Sequence, residues 1–348
     1  MNWHPAGIEE LDECLSINPA AMGHEIVGRD RASEAWRKLL DSRSFLNAVI
    51  ESEHPIAGHR IVGFGASVFV SPVFAAQEVS RPKPGMNARI IASIASNQSV
   101  VLTEDELRYE NTCGGLHVVF LCAAWRRDIL TLQQATEIEA VMALACLQGH
   151  QGYRLRQALR EATDALEVEH IRSQRVFGII TAFEDFHTQN PSSFWNRDRA
   201  LGISNRADAI SVPGSVPAIL FSYREPTLRF QDANQQLLIA ALRGLTDLEL
   251  VPALGLKLPA IKKRWSSVFR RVEEVCPNLL PGPDLYSDGQ TRGPQKRHHL
   301  LAYLREHPEE LRPILRAQMS RTILAAHSGH RDWRANEPIA SVRKYSPL

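Results

Sequence analysis

Residues 114–125, GGLHVVFLCAAW, are so nearly all apolar that no water-facing side remains. A strand of this kind has to be covered on both faces, which places it inside a layered fold. Other strand candidates are RIVGFGASVFVS at 60–71, VFGIITAF at 176–183 and VPAILFSY at 216–223. Helical spacing is expected at 8–15, 32–40, 88–95 and 103–108, with RPKPG at 81–85 as a turn. It is expected again over 132–166, broken at QGHQGY, residues 148–153. Strands separated by helices predict an α/β domain with a mixed sheet over residues 1–229.

The back of the chain reads differently. Residues 1–230 carry 22 Lys/Arg against 27 Asp/Glu, whereas residues 231–348 carry 18 against 12. An acidic body joined to a basic end suits nucleic-acid binding, or docking onto an acidic partner. DANQQLLIAAL (232–242) predicts a helix that Gly244 ends, and Thr246 with Glu249 then has the spacing of a capping box. Gly255 can take the left-handed turn that follows, and Pro259 fits the first turn of a third helix over 259–272. Ile261, Trp265, Val268 and Val272 share one stripe of that helix. Lys262, Lys263, Ser266 and Ser267 occupy the other side, flanked by Arg264, Arg270 and Arg271. Two short helices, a glycine turn and a basic helix make an all-α helix-turn-helix unit over 230–276.

Residues 277–348 are expected to hold a Pro/Gly-rich loop (277–289), an amphipathic helix with Leu300, Leu301 and Leu304 inward, and a further helix at 312–327. Arg292, Lys296 and Arg297 would extend a duplex footprint along the backbone. Adjacent His298 and His299 point apart on a helix and make a poor metal pair.

Two family resemblances follow. Gly244, Thr246, Glu249-Leu250, Leu254-Gly255-Leu256 and Ile261-Lys262 resemble the C-terminal helix-turn-helix domain of LuxR-type response regulators, and less closely region 4 of sigma factors. Lys257 stands where that family has a serine cap, and Pro252 lies inside the second helix. The resemblance implies that Lys262 touches DNA; Ala260, Lys263 and Ser267 are candidates for base edges and Lys257, Lys262, Arg264, Ser266, Arg270 and Arg271 for positioning contacts. The front half, with RIVGFGASVFV after a helical opening, is similar to the Gcn5-related acetyltransferase fold. That likeness implies a Gly-rich turn opening a helix that grips the coenzyme A pyrophosphate. Gln148-Gly149-His150-Gln151-Gly152-Tyr153-Arg154 is the segment assigned to it, making Gln148, Gly152 and Arg154 the cofactor candidates.

Other chemistry is sparse. Five cysteines without a C-x-x-C pair exclude a disulfide framework or a cysteine zinc site. Acidic residues near the start and no long apolar run give no sign of a signal peptide or a membrane span. His117 could face a pocket or be a satisfied sheet histidine; Glu184, Asp185 and His187 could hold a metal or simply solvate a strand end. Trp125, Tyr153, Phe183, Phe186 and Trp195 could line a cavity or be ordinary core. No catalytic residue or metal is assigned. The favoured expectation is a cytoplasmic, nucleoid-associated transcription regulator that binds double-stranded DNA as a homodimer, with room for a small-molecule effector and no membrane partner. The first alternative is an acyl-coenzyme A-dependent N-acyltransferase, the case in which a coenzyme A thioester is needed. The second is a protein-interaction scaffold.

Overall fold

A computed structural model describes residues 1–18, 23–173, 175–280 and 292–315, without the side chains of residues 25 and 292–294. The chain opens with β1 (Asn2–His4), α1 (Leu11–Ile17), α2 (His24–Val27), α3 (Arg29–Leu40), β2 (Phe45–Ile56) and β3 (His59–Val70). It continues through α4 (Pro72–Ser80), α5 (Met86–Ala95), α6 (Glu104–Tyr109), a π turn (Glu110–Gly114) and β4 (Leu116–Trp125). Next come α7 (Leu132–His150), β5 (Leu155–Ala162), α8 (Ala165–Ser173), β6 (Ile179–Ala182), α9 (Glu184–Gln189) and β7 (Ala200–Asn205). The remainder is helical: α10 (Arg206–Ile210), α11 (Val216–Leu220), α12 (Asp232–Leu242), α13 (Asp247–Leu254), α14 (Leu258–Val275), α15 (Arg292–Glu306) and a short 3-10 turn (Pro308–Leu311).

The sheet runs β1-β2-β3-β4-β5-β7-β6. Its neighbours are antiparallel except β4 and β5, which are parallel. The mixed α/β expectation for the front of the chain therefore holds. On one face, Trp36, Phe64, Ile90, Ile91 and Val119 belong to a core closed by α1, α3 and α5. On the other, Ile138 and Met142 of α7 pack with Ile50, Val62 and Trp125. That approach requires a bare backbone on β3: a Cβ at Gly65 would stand 2.6 Å from the Met142 sulfur.

Two expected elements change type. LRQALREA was read as helix, but it is the strand β5. Its helix-forming residues are overruled by context: Leu155, Ala158, Leu159 and Ala162 are buried between layers. Arg160 pairs there with Glu167 at 3.0 Å, and Glu161 accepts from the Gly85 N–H at 2.6 Å and from Arg199 at 3.0 Å. VPAILFSY was read as a strand, but residues 216–220 form α11, opened by the Ser215 hydroxyl accepting from the Ala218 N–H at 3.2 Å. The strands β1, β2 and β7 were not anticipated.

The back helices pack on their expected stripe. Ile261, Trp265, Val268 and Val272 are buried with Leu237, Leu250, Leu300 and Leu304 in a separate core. Thr246 and Glu249 close a capping box, and Gly255 is left-handed at φ 61°. The helix expected at 312–327 is absent over 312–315, and its remainder lies outside the described residues. The end of the described chain ties these helices to the sheet domain. Glu310 accepts from the N–H groups of Thr227, Leu228 and Arg229 at 2.8, 2.9 and 3.3 Å. Arg312 donates to the Gln148 and Gln151 carbonyls at 3.0 and 2.8 Å, satisfying the last turn of α7.

The Glu161–Arg199 pair is buried on both sides. Replacing Arg199 with alanine leaves Glu161 as an uncompensated buried charge, and the expected cost is about 3–5 kcal/mol, read from urea denaturation at neutral pH.

Candidate active site

The one parallel pair in the sheet does not stay paired. β4 and β5 pair from Leu116 opposite Leu155 to Phe120 opposite Arg160, with one register shift, at Arg156, between Leu116 and His117. Beyond Phe120, β4 runs on to Trp125 against β3, while β5 stays with β7. The strands part where β4 carries an extra residue: Ala66 faces Cys122 and Ser67 faces Phe120, which leaves Leu121 as a bulge. Asn87 holds the bulge by donating to the Leu121 carbonyl at 2.7 Å.

A cavity of about 650 Å³ is lined by residues of β2, β3, β4, α7 and α11, with Trp3 of β1, Arg160 of β5, His170 of α8 and Phe177. Trp125 at the end of β4 and His170 on α8 both line it and meet edge to face, their rings 5.5 Å apart. Farther in, Phe120 meets Phe177 at 6.3 Å and His150 at 5.2 Å. The His150 Nδ1 lies 2.7 Å from the Cys146 carbonyl and must donate to it, so Nε2 accepts from the Ser67 hydroxyl at 2.9 Å.

Burial draws His150 down to about 4; Arg312 adds to this and the Cys146 bond opposes it. The ring is therefore neutral at physiological pH. His170 is lowered too, first by burial and then by Arg160, with Glu139 opposing. Burial works against ionisation of Glu167, but Arg160 together with the Thr163 hydroxyl and N–H outweighs it and holds the carboxyl below its ordinary range. The polar side of the opening is thus a fixed Arg160–Glu167 pair with a neutral imidazole beside it.

The connection from β4 to α7 reads Arg126-Arg127-Asp128-Ile129-Leu130-Thr131. The loop has no glycine to mark it in the sequence; its place between strand and helix is the usable signal. The Thr131 hydroxyl accepts from the Gln134 N–H at 3.3 Å, and the Gln134 side chain accepts from Thr131 N–H at 2.9 Å. Leu132 and Gln133 keep first-turn N–H groups with no partner inside the helix. Arg127 is exposed beside them, 4.9 Å over the Trp125 ring. The start of α7 thus presents two bare backbone N–H groups, and the loop before it has no glycine.

Gln148, Gly152 and Arg154 sit at the opposite end of α7 from its first turn, and Gln148 lines the cavity there. They close that helix, at its negative pole, and do not open another. A Cβ at Gly152 would fall 2.4 Å from the Glu309 nitrogen, and Arg154 donates to the Thr112 carbonyl at 2.7 Å. His117 is a satisfied sheet histidine, with Nδ1 3.2 Å from Gln157. Among the described residues no group of side chains can hold a metal, so Glu184, Asp185 and His187 form no such site. Of the aromatic candidates Trp125 lines the cavity. Tyr153 packs on Phe69 at 4.7 Å, and Trp195 lies under Arg199 at 4.5 Å.

The basic helix is less free than its charge pattern implied. Arg264 donates to the Ala233 carbonyl at 3.2 Å and Arg271 to the Leu228 carbonyl at 2.7 Å. Arg297 binds Asp247 and the Leu245 carbonyl, both at 2.8 Å, with its guanidinium 4.6 Å over Trp265. Lys296 pairs with Glu273 at 2.7 Å and Arg270 with Glu274 at 3.9 Å. Ser266 donates back to the Lys262 carbonyl at 3.1 Å. Lys257, Lys262 and Lys263 are exposed, Ala260 and Ser267 half-buried, and the Arg292 side chain lies outside the described residues.

No family model and no curated protein matches the chain. Among solved structures it is similar to NAA60 of Arabidopsis thaliana in complex with a bisubstrate analogue: 11% identity over 59% of this chain and 97% of that one, TM-score 0.33. It is also similar to a mosquito arylalkylamine N-acetyltransferase, like 5b: 12% identity over 59% and 99%, TM-score 0.34. The second is by name an N-acetyltransferase. The expectation of a LuxR-like, DNA-binding transcription regulator is withdrawn. No helix among the described residues is long and apolar enough to cross a membrane.

With a folded-state value near 4 against an ordinary 6.5, neutral His150 costs the native state nothing above pH 6.5. As the pH falls from 6.5 through 4 the unfolded chain takes up the proton first, and native stability is lost. The loss should reach about 3 kcal/mol. Urea melts at pH 7 and pH ~4 would show it, and His150→Gln should flatten that part of the profile.

Proposed function

We propose that the chain is an acyl-coenzyme A-dependent N-acyltransferase. The observation that supports this most directly is the parting of β4 and β5 beside a cavity that α7, the helix following β4, lines from Glu139 onward. Parted strands leave a backbone edge on β4 for an extended ligand, and a helix start suits its phosphates. The residues that would hold the thioester are the β4 edge beyond Phe120, the first turn of α7 and Arg127. The thioester is a substrate here, not a resident group.

Transfer needs an amine nitrogen that attacks the thioester carbonyl carbon as the C–S bond breaks. The nitrogen gives up a proton, and the departing sulfur ends protonated. His170 lines the cavity and is neutral at physiological pH, so it can take the amine proton and later return it to the thiolate. The Arg160–Glu167 pair fixes the wall on which α8 presents this ring.

Full-length protein should bind acyl-coenzyme A saturably in equilibrium dialysis and release free thiol only when an amine is present. A chain that retains neither coenzyme A nor its thioesters does not have this activity. His170→Gln should lower kcat by about 10²-fold. The lowered pKa also sets the pH dependence: the base form persists below the usual imidazole range, so the acidic limb should fall below pH 6.5 and vanish in the variant.

A further inference from the structure

The cavity is longer than an acetyl group requires. On α7 it is lined from Glu139 to His150. Eleven residues at helical rise correspond to about 17 Å. An acetyl group at the Leu121 bulge would occupy only the start of that length. Past the bulge the walls are Gly65, Phe120, Cys146 and Phe177, with the Ser67–His150 pair among them.

The chemistry of this inner part selects against charge. Ser67 and His150 satisfy one another and the Cys146 carbonyl. Arg312 also reaches the cavity, but it donates to the Gln148 and Gln151 carbonyls and lies 4.5 Å over the Tyr153 ring. Of the other cations on the lining, Arg160 is paired with Glu167 at 3.0 Å and Arg243 is exposed to water. A terminal carboxylate on the acyl group would therefore meet no unpaired buried cation, whereas a plain hydrocarbon tail would replace water against aromatic rings and sulfur.

On the strength of the acyltransferase reading, we propose that the acyl donor carries a medium-length, uncharged hydrocarbon chain that runs along α7 from the Leu121 bulge toward the Ser67–His150 pair. Isothermal titration of the full-length protein with coenzyme A, acetyl-, succinyl- and octanoyl-coenzyme A tests it. Octanoyl-coenzyme A should bind at least about tenfold more tightly than the acetyl and succinyl thioesters, from the apolar surface it buries. Cys146→Phe, which fills the channel, should abolish that advantage and leave acetyl-coenzyme A binding unchanged; if it does not fold, Ala143→Phe at the exposed lip serves the same purpose. Equal binding of the acetyl and octanoyl thioesters, or an octanoyl advantage that survives a folded blocking variant, overturns the chain-length assignment and leaves the acyltransferase reading standing. Binding of none of the four removes that reading and this proposal together.

Discussion

Two neighbouring strands that run in the same direction cannot be joined by a tight turn; the connection must cross a face of the sheet. In this chain that constraint falls on β4 and β5, the parallel pair in the sheet, and α7 is the crossover. Everything at the candidate site descends from it. The crossover starts at the far end of β4, so the positive pole of α7 comes to the place where the strands have parted. The bulge at Leu121 uses one residue on β4 that β3 does not match, and the pairing with β5 stops next to it.

Such an opening would collapse if its sides were free to close. The described contacts brace it on three sides. Asn87 anchors the bulge from α5, and Arg160 and Glu167 join the end of β5 to α8. Met142 wedges against Gly65 and sets the distance between α7 and the sheet. At the far end Arg312 caps α7, while Asn111 takes the Arg154 N–H at 2.8 Å and donates to the Pro313 carbonyl at 2.8 Å. The last described residues therefore help to hold the first turn of β5 and the last turn of α7.

Much of the architecture was legible in the sequence. GGLHVVFLCAAW is apolar on both sides and proved to be the central strand β4, and the Thr246–Glu249 cap and the stripe through Trp265 formed as their spacing required. β5 was not legible, since Leu, Arg, Gln, Ala and Glu favour helix and only the buried partners Glu167, Gly85 and Arg199 make a strand tolerable there. β2 is hidden for a related reason: the exposed polar end of FLNAVIESEHPI masks its buried apolar start. The site was least legible of all. It is formed by where a pairing stops, and no single motif encodes that.

The basic helix shows how a charge pattern can mislead. A stripe of apolar residues with cations opposite describes a helix docked on one side, but it does not say what the cations meet. An arginine has a long apolar stem and five donors, so it can reach around a packed helix to satisfy carbonyls at neighbouring helix ends. Arg264 and Arg271 do so at Ala233 and Leu228, and Arg297 does so at Leu245 while covering Trp265. Lysine has a compact charge with no such fork and stays outside at 257, 262 and 263. The net positive charge of this segment is therefore partly structural, spent on joining α12, α13, α14 and α15, and counting it toward a nucleic-acid surface overstates what is available to a partner.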